Sequence, residues 1–372
     1  MVANTAEEKI CKTILLVSVG LLYGGAETYY VKLAKILLPE YRVLAVVGCQ
    51  RLADELNALG VVAVYTGDRG EGLKRYLSCF QACCKMIRRY RPGAAHLNGQ
   101  PESYLALFLR LLRVRVLTTR HTPFTDQFLL EGSWIPVPIK RWMVLFSLQL
   151  ADHTICVSQL LHRQLSAYLP SDRLSYIPTW VENEFLDAYE RPVPSDPLRA
   201  LFVGRVVENK GIFEVIEAVR RCDNVHLTVV GEGDQMEQAY KASSGLPVTF
   251  AGFNLDCKPA YRSSDLLIFP SREGFEGLPQ VPLEAMAMRL PCLASDISCI
   301  QEINGGGVAL ALYRQGDVND LACKLSHLAT DKAALLQFGE AGRSQVELRF
   351  SVAAVTGPYL REFASAFKRG VD

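Results

Sequence analysis

The stretch Asp265–Ala287, DLLIFPSREGFEGLPQVPLEAMA, decides how this part of the chain folds. Its opening run, DLLIFPS, is mostly apolar and predicts a strand that is buried on both faces. The segment SREGFEGLP contains glycines and acidic residues and predicts the loop that leaves this strand. The run LPQVPLEAMA predicts a helix, because proline is tolerated in a first helical turn. A strand, a loop and a helix in this order form one repeat of a parallel α/β sheet.

Similar strand and helix patterns lie on both sides of this stretch. The strand-like runs are KTILLVSVG, YRVLAVVG, GAAHLNG, VRVLTTRH, DHTICVS, ALFVGR, VHLTVVGEG and LPCLAS. Segments with helical spacing, such as GGAETYYVKLAKILL and GIFEVIEAVRRC, separate them. Parallel strands joined by helices require right-handed crossovers, so the fold class is predicted to be α/β.

The alternation is interrupted over residues 184–198, where prolines and charges accumulate. We therefore predict a doubly wound domain over residues 1–183, a linker over 184–198 and a second doubly wound domain over 199–349. Residues 350–372 are predicted to form a terminal helix. Ligands of such sheets bind at the carboxyl ends of the strands, so we expect the site in a cleft between two facing domains.

The composition favours a globular protein that keeps its thiols reduced. The 372 residues are 49% hydrophobic and 21% charged, which suits two globular domains. The 11 cysteines include no C-x-x-C pair and lie mostly in apolar runs, which favours free thiols over disulfides. We expect no signal peptide and no membrane span, and hence a cytoplasmic location.

The two halves of the chain differ in charge. Up to Trp180 there are 21 Lys and Arg residues against 13 Asp and Glu residues, and the remainder has 19 against 26. The basic excess indicates that the first half meets an anionic partner, with random scatter over a large surface as the alternative.

Two cations follow a predicted strand in the segment FVGRVVENKG. Arg205 comes directly after Gly204 at the strand end, and Lys210 opens the next predicted helix. Arginine offers a planar fork and lysine a point charge, and both suit a diphosphate. The alternative is an ordinary loop with solvated charges.

Two glutamates flank the start of the predicted helix in the opening stretch. Glu276 lies in the loop, and Glu284 lies further along, where its carboxylate could accept hydrogen bonds from a ribose diol. The N–H groups of Gly277 and Leu278 would lie at the helix N-terminus, a position that favours phosphate. The alternatives are an acidic residue stabilised by the helix dipole, for Glu276, and an ordinary helix glutamate, for Glu284.

Two common nucleotide motifs are absent. The segment VVGEGDQM fails the G-x-G-x-x-G pattern because its sixth position is Met236, and no G-x-x-x-x-G-K-[ST] segment occurs. These absences argue against a dinucleotide oxidoreductase and against a P-loop NTPase.

Together these segments resemble glycosyltransferase family 4. Glu276 and Glu284 match its E-x7-E signature, YGGAE (Tyr23–Glu27) matches its glycine-rich first loop, and FVGRVVENKG matches its phosphate segment. ADHTICVS (Ala151–Ser158) also matches a characteristic strand. Glu273 falls outside the strict signature spacing, so Glu276 is taken as the first signature residue.

The resemblance implies a GT-B fold, in which two Rossmann-like domains face each other. The first domain would bind the acceptor and the second a nucleotide sugar, with the terminal helix crossing back to the first. Arg205 and Lys210 would hold the donor diphosphate, Glu276 would face the donor sugar, and Glu284 would bind the ribose. His121, which follows the strand VRVLTTR, would contact the sugar, although a structural histidine is the alternative. The further implied donor-binding residues are Gly24, Gly25, Gly204, Gly252, Phe253, Gly277 and Leu278.

The resemblance also implies a retaining transfer from a UDP- or GDP-linked hexose to an acceptor hydroxyl, in polysaccharide or glycolipid assembly. No D-x-D pair occurs, so we expect neither a metal nor another cofactor, and cations would replace the metal. The predicted partners are the donor and a glycan or lipid-linked acceptor, without nucleic acid. The alternatives are a nucleotide-sugar 2-epimerase of the same fold and a non-catalytic nucleotide-sugar-binding subunit.

The segment WIPVPIKRWMVLF, residues 134–146, combines two tryptophans with two cations. This composition favours contact with the cytoplasmic face of a membrane, or an entrance for a lipid-linked acceptor. A buried helix with charged ends is the alternative.

Overall fold

The computed structural model describes residues 12–21, 23–67, 73–99, 104–125, 136–187 and 190–368. These form two compact units. The first combines the described residues up to Ile177 with those from Thr356 onward, and the second comprises those from Pro178 to Val355. Each unit contains one parallel sheet with interleaved helices, the doubly wound arrangement that the sequence predicts.

The sheet of the first unit has seven strands in the order β3-β2-β1-β4-β5-β6-β7, all parallel. The strands are β1 (Thr13–Ser18), β2 (Arg42–Val47), β3 (Val62–Tyr65), β4 (Ala94–Asn98), β5 (Arg115–Arg120), β6 (His153–Cys156) and β7 (Leu174–Tyr176). The strand order reverses between β1 and β4, so the carboxyl ends of these central strands border a crevice.

The helices of this unit connect the strands and cover the sheet. They are α1 (Gly25–Leu37), α2 (Gln50–Ala58), α3 (Leu73–Tyr90), α4 (Ala106–Leu111), α5 (Val137–Leu150) and α6 (Gln159–Leu165). Leu15, Val17 and Leu97 are fully buried among them in the core. Trp134 and Ile135, which begin the segment WIPVPIKRWMVLF, lie outside the described residues.

The sheet of the second unit has six parallel strands in the order β10-β9-β8-β11-β12-β13. The strands are β8 (Leu198–Val203), β9 (Val225–Val230), β10 (Val248–Gly252), β11 (Leu266–Phe269), β12 (Cys292–Ser295) and β13 (Ala311–Tyr313). The run DLLIFPS thus contains β11, an interior strand whose side chains are all buried, as its continuous apolar pattern predicts.

The helices of the second unit again alternate with its strands. They are α7 (Ile212–Arg220), α8 (Met236–Ala242), α9 (Lys258–Ser263), α10 (Gln280–Ala287), α11 (Ser298–Asn304), α12 (Val318–Thr330) and α13 (Lys332–Arg349). A last helix, α14 (Val352–Lys368), joins the first unit from Thr356 onward.

The described residues of the proline-rich segment 184–198 belong to the second unit, whereas the sequence predicts a linker between the two domains. The guanidinium of Arg191 donates hydrogen bonds to the carbonyl oxygens of Tyr261, Ser264 and Met288. These bonds hold the segment against the ends of α9 and α10. The segment satisfies buried backbone acceptors of the second unit, which a solvated linker would not do.

Other properties of the described residues bear on the predictions from composition. The ten cysteines in the described part of the chain are all free thiols. No helix found in the described ranges is both long and apolar enough to cross a membrane.

The ends of β8 and β9 approach each other so closely that a side chain would not fit. Gly231 has a φ of +138°, and a Cβ added there would lie 2.0 Å from the carbonyl oxygen of Gly204. Only glycine combines this backbone angle with this contact. The two loops that leave these strands are therefore held together by backbone packing.

We expect Gly231→Ala to lower the free energy of unfolding by about 3 kcal/mol, because it adds a backbone clash to a strained φ. The matched control is Gly245→Ala, where φ is +76° and nothing lies within 4 Å of the added Cβ. That variant should lose about 1 kcal/mol through backbone strain alone. Urea unfolding of both variants measures the difference, and equal losses would contradict the close approach of Gly204 and Gly231.

Candidate functional site

The glutamate predicted to face a ligand, Glu276, is paired with the lysine predicted to hold a phosphate. The Lys210 ammonium donates to Oε1 of Glu276 in an ion pair, and the Ser271 hydroxyl donates to the same oxygen at 2.8 Å. The two ionic side chains are 21% and 12% exposed. The structure therefore brings together two predicted residues that lie 66 positions apart.

A glycine allows this approach. Lys210 ends a short 3-10 turn, Glu208–Lys210, and the next residue, Gly211, has a φ of +73°. A Cβ on Gly211 would lie 2.3 Å from the carbonyl oxygen of Pro270, which directly follows β11. Because Gly211 has no side chain, the loop after β8 packs directly against the end of β11. This close packing brings Lys210 within reach of Glu276.

The second predicted cation, Arg205, is placed differently. Its side chain is exposed, and its guanidinium forms no ion pair with a side chain in the described ranges. By contrast, Arg272 in the neighbouring loop is engaged by Glu208 at 3.1 Å and Glu214 at 3.4 Å. Arg205 is thus an available cation on the same loop as Lys210.

The two neighbouring loop glutamates have different environments. Oε2 of Glu273 accepts a hydrogen bond from the backbone N–H of Ser298 at 2.6 Å, at the start of α11. Glu273 therefore satisfies a helix terminus, whereas Glu276 faces Lys210 and Ser271. The two glutamates therefore have different partners, which their positions in the sequence did not distinguish.

The helix after this loop begins later than the sequence predicts. Helix α10 starts at Gln280 with Pro279 as its N-cap, so Gly277 and Leu278 precede the first turn. Both are buried, and their backbone N–H groups have no protein acceptor within the described parts of the chain. Buried backbone donors are normally paired, so these two are suited to an anionic ligand.

The second signature glutamate, Glu284, lies within α10 and is only partly exposed. Its Oε2 accepts a hydrogen bond at 3.0 Å from the hydroxyl of Tyr261, which is fully buried. Burial and the charge of Glu284 raise the pKa of Tyr261 well above its ordinary value, so the tyrosine remains a donor. Tyr261, which sequence reasoning did not single out, fixes the orientation of this carboxylate.

Gly252 and Phe253, two further residues that the resemblance implies bind the donor, lie at the end of β10 and directly after it. Gly252 has a φ of +72° at the end of β10, and the Phe253 side chain is exposed. The Phe253 N–H donates to Oε1 of Glu232 at 3.4 Å, in the loop after β9. Gly204 lies at the end of β8, where it contacts Gly231. These loops all leave the carboxyl edge of the sheet.

In the first unit, His121 directly follows β5. Its Nε2 lies 2.7 Å from Oδ1 of Asn98, the last residue of the neighbouring strand β4. The Tyr29 ring meets the imidazole edge-on, with 4.5 Å between ring centroids. Asn98 and Tyr29 are therefore positioning residues that the sequence analysis did not name.

His96, by contrast, is a structural residue. It is fully buried within β4, and its ring nitrogens lie 2.8 Å from the Thr119 hydroxyl and 3.3 Å from the Tyr30 hydroxyl. Burial lowers its pKa to about 3, with the neighbouring His121 as a second cause. Burial likewise lowers the pKa of His121 to about 3, with the charge of Arg120 as the second cause.

The predicted glycine pair opens helix α1. Gly24 is the N-cap residue and Gly25 begins the helix, and both are exposed. The N–H of Gly24 donates at 3.0 Å to Oε2 of Glu27, a buried carboxylate whose pKa is raised by burial. Glu27 is the last residue of the quoted YGGAE segment, and its place three residues after the N-cap is the signal for such a bond.

We expect both imidazoles to stay neutral from about pH 8 to about pH 5, because burial disfavours the charged ring. The unfolded chain then binds these protons first, so their contribution to stability is complete above about pH 6.5 and falls as the pH decreases towards 3. NMR of nitrogen-labelled histidines, with His96→Asn and His121→Asn for assignment, measures this directly. Protonation of His121 near pH 6.5 would contradict the burial argument.

Two family models match most of the chain. The model described as Glycosyltransferase Family 4 matches residues 23–185, and the model described as Glycosyl transferases group 1 matches residues 197–331. Two Rossmann-like units with these matches define a glycosyltransferase of GT-B fold class. The chain belongs to glycosyltransferase family 4.

Curated relatives are similar over part of their length. The lipopolysaccharide core biosynthesis glycosyltransferase LpsE of Rhizobium meliloti is 28% identical over 184 residues, covering 48% of this chain and 54% of LpsE. The sulfoquinovosyl transferase SQD2 of Arabidopsis thaliana is 25% identical over 284 residues, covering 70% of this chain and 54% of SQD2. The chain therefore matches about half the length of these relatives.

Solved structures share the fold over almost the whole chain. HepE of Anabaena in complex with UDP has a TM-score of 0.79 at 18% identity, covering 95% of this chain and 100% of that one. Sucrose-phosphate synthase of Thermosynechococcus elongatus has a TM-score of 0.81 at 20% identity, covering 96% and 99%. HepE has also been solved with UDP-glucose.

Proposed function

We propose that the protein is a retaining glycosyltransferase that moves a hexose from a nucleotide diphosphate sugar to an acceptor hydroxyl. The observation that carries the proposal is the arrangement of Lys210, Glu276 and Arg205 at the carboxyl ends of β8 and β11. One carboxylate suited to sugar hydroxyls is paired with Lys210, and Arg205, on the same loop as Lys210, is a second cation suited to a diphosphate. The unpaired N–H groups of Gly277 and Leu278 in this loop add two donors for phosphate oxygens.

UDP is the nucleotide that we propose first, because HepE binds UDP and UDP-glucose in a similar fold. A GDP-linked donor is the alternative. The curated relatives act in lipopolysaccharide core, amylovoran and capsular polysaccharide biosynthesis. A glycan or lipid-linked acceptor at the cytoplasmic membrane face follows for this chain as part of the proposal.

The proposed reaction breaks the bond between the sugar C1 and the diphosphate oxygen. Negative charge develops on the departing diphosphate, where Arg205, Lys210 and the loop N–H groups stabilise it. The acceptor oxygen bonds to C1 on the same face, and its proton passes to the departing diphosphate oxygen. Glu276 and His121 would hold the sugar hydroxyls, and Glu284 would hold the ribose.

The two positive side chains take the place of a metal ion in this proposal. Arg205 and Lys210 supply the charge that would otherwise come from a divalent cation. We expect turnover to be unchanged after dialysis against EDTA. Activity that is lost with EDTA and restored by Mg²⁺ would contradict this part of the proposal without affecting the donor assignment.

Nucleotide binding tests the donor site. We expect UDP or a UDP-sugar to raise the midpoint of thermal unfolding of the wild type through mass action. Glu284→Ala should weaken binding by about tenfold or more, because it removes charged hydrogen-bond acceptors from the ribose. Calorimetric titration with UDP, GDP and ADP measures each affinity.

The matched control is Glu237→Ala, an exposed helix glutamate of the same unit whose partner is Lys241. This control should bind nucleotide as the wild type does. Equal affinity of Glu284→Ala and wild type would remove Glu284 from the site, and no binding of any nucleotide to the folded wild type would overturn the proposed donor.

Transfer itself tests the role of the free cation. Arg205→Ala should lower turnover by about 100-fold or more, because it removes a stabilising group from the developing diphosphate charge. Its thermal midpoint should stay close to that of the wild type, since the side chain is exposed and forms no ion pair in the described part of the chain. The assay follows a labelled sugar from the nucleotide to lipid and glycan extracts.

The control for this assay is Lys241→Ala, an exposed cation elsewhere in the same unit. It should retain wild-type turnover. Near-normal turnover of Arg205→Ala would exclude charge stabilisation by this residue. Conversion of the donor sugar without any acceptor would instead favour the 2-epimerase alternative.

A further inference from the structure

A cavity of about 380 Å³ lies at the outer edge of the second sheet. It is bounded by the outer strand β13, the end of α11 and the helices α12 and α13. As the structure describes them, its lining residues include none of those assigned to the candidate donor site. A cavity of this size falls within the range of small-molecule sites. Its wall is mostly apolar and is lined by Leu310, Ala311, Leu312, Leu328, Ala334 and Phe338.

A buried amide also lies in this wall. Asn304, the last residue of α11, is 3% exposed. Its Oδ1 accepts hydrogen bonds from the N–H groups of Ala309 at 2.9 Å and Leu310 at 3.0 Å. These donors identify Oδ1 as the oxygen, and the Nδ2 group has no protein acceptor among the residues that the structure describes. Buried amide donors are normally paired, so Nδ2 is suited to an oxygen of a ligand.

The free edge of β13 supplies a second donor at the cavity. The carbonyl oxygen of Tyr313 accepts a hydrogen bond at 2.8 Å from the N–H of Asp296, on the side of β12. Backbone groups of successive residues alternate between the two sides of a strand, so the N–H and C=O of Leu312 point away from β12. No strand of the described sheet lies on that side. Leu312 lines the cavity, and its N–H therefore adds to the amide of Asn304.

A half-buried lysine, Lys324 of α12, also lines the cavity, whereas none of the described lining residues is acidic. The carboxylate one turn earlier, Asp320, is engaged by the Arg314 N–H at 2.7 Å and its guanidinium at 3.8 Å. Lys324 forms no ion pair within the described ranges. His327 lines the cavity too, but its Nε2 lies 4.0 Å from Oδ2 of Asp331. Lys324 is thus the cation at this cavity that lacks an acidic neighbour in those ranges.

We propose that this cavity binds an amphipathic carboxylate, a small molecule with one carboxylate and an apolar chain. The chain would fill the space between β13, α12 and α13. The carboxylate would accept hydrogen bonds from Lys324, from the Asn304 amide and from the Leu312 N–H. An ammonium group and neutral N–H donors together form charge-assisted bonds that suit a carboxylate. This inference rests on the second unit alone and does not depend on the proposed transfer reaction.

An anion fits these features better than a neutral ligand or a peptide does. A neutral apolar ligand would cover the amide of Asn304 and the ammonium of Lys324 without giving either a partner, which is costly. A peptide added as a strand to β13 would find a strand of only three residues, Ala311–Tyr313. Such a strand offers one outward N–H and one outward C=O, too few for recognition through the main chain.

The test is calorimetric titration of the full chain with decanoate, below its critical micelle concentration. We expect decanol, which has the same chain length and no charge, to bind at least tenfold more weakly than decanoate. Butyrate should bind at least 100-fold more weakly, because its short chain buries much less apolar surface.

Three variants locate the ligand. Lys324→Met should weaken decanoate binding at least tenfold and leave decanol binding unchanged, because it removes the charge and keeps an apolar stem. Asn304→Asp should weaken decanoate binding similarly, since it keeps the oxygen that the loop N–H groups need and places a negative charge against the carboxylate. Ala334→Phe should abolish binding of both ligands by filling the cavity.

The matched control is Lys332→Met, an exposed lysine of α13 that is not among the described lining residues. It should bind decanoate as the wild type does, and both lysine variants should keep the wild-type thermal midpoint. Absence of decanoate binding to the folded wild type would overturn the proposal, and equal affinity for decanoate and decanol would exclude the carboxylate contacts.

The cavity-filling variant also decides between occupants. Full decanoate binding to an Ala334→Phe variant with the wild-type thermal midpoint would place the ligand elsewhere and overturn the site. A concentration-dependent dimer of the wild type that Ala334→Phe abolishes would assign the cavity to a second copy of this chain and would likewise overturn the proposal.

Discussion

The pairing of β8 with β11 at the centre of the second sheet is the interaction on which the candidate site depends. Ala200 lies opposite Leu266 and Leu201 opposite Leu267, although α7 to α9 separate the two strands in sequence. The pairing is fixed at its start by Asp265, whose carboxylate accepts hydrogen bonds from the backbone and guanidinium of Arg199 at 2.9–3.0 Å. Because both strands run in the same direction, their carboxyl ends lie side by side. The loops that follow β8 and β11, although distant in sequence, are therefore adjacent in space.

The ion pair between Lys210 and Glu276 is the chemical result of that pairing. Two partly buried charges lose much of their hydration, and mutual attraction together with the Ser271 hydroxyl offsets this cost. Such a pair contributes little net stability, so its presence points to function more than to folding. It places a carboxylate beside a cation at a sheet edge where ligands bind. Arg205 forms no such ion pair in the described residues, and in the proposed function it meets the donor diphosphate.

The sequence indicated the interior strands and missed the edge strands. The continuous apolar runs predicted β1, β2, β4 to β6, β8, β9, β11 and β12, each of which has a strand on both sides. The strands that it did not indicate, β3, β7, β10 and β13, are the outer strands of the two sheets. An outer strand is paired on one side only and is partly exposed, so its residues need not be uniformly apolar. The apolar pattern of an outer strand is therefore weak, because fewer of its side chains have to be buried.

The sequence by itself determined the α/β class, the family and the identity of the residues that gather at the sheet edges, because buried strands and glycine-bearing loops require particular residue types. Only the tertiary structure decided which of those residues meet. In the structure, Glu273 accepts a hydrogen bond at a helix terminus, whereas Glu276 pairs with Lys210. Tyr261 forms a hydrogen bond with Glu284, and Asn98 forms one with His121. These contacts join residues from different strands and helices. Local sequence spacing carries no record of such contacts, since they depend on strand order and close backbone packing.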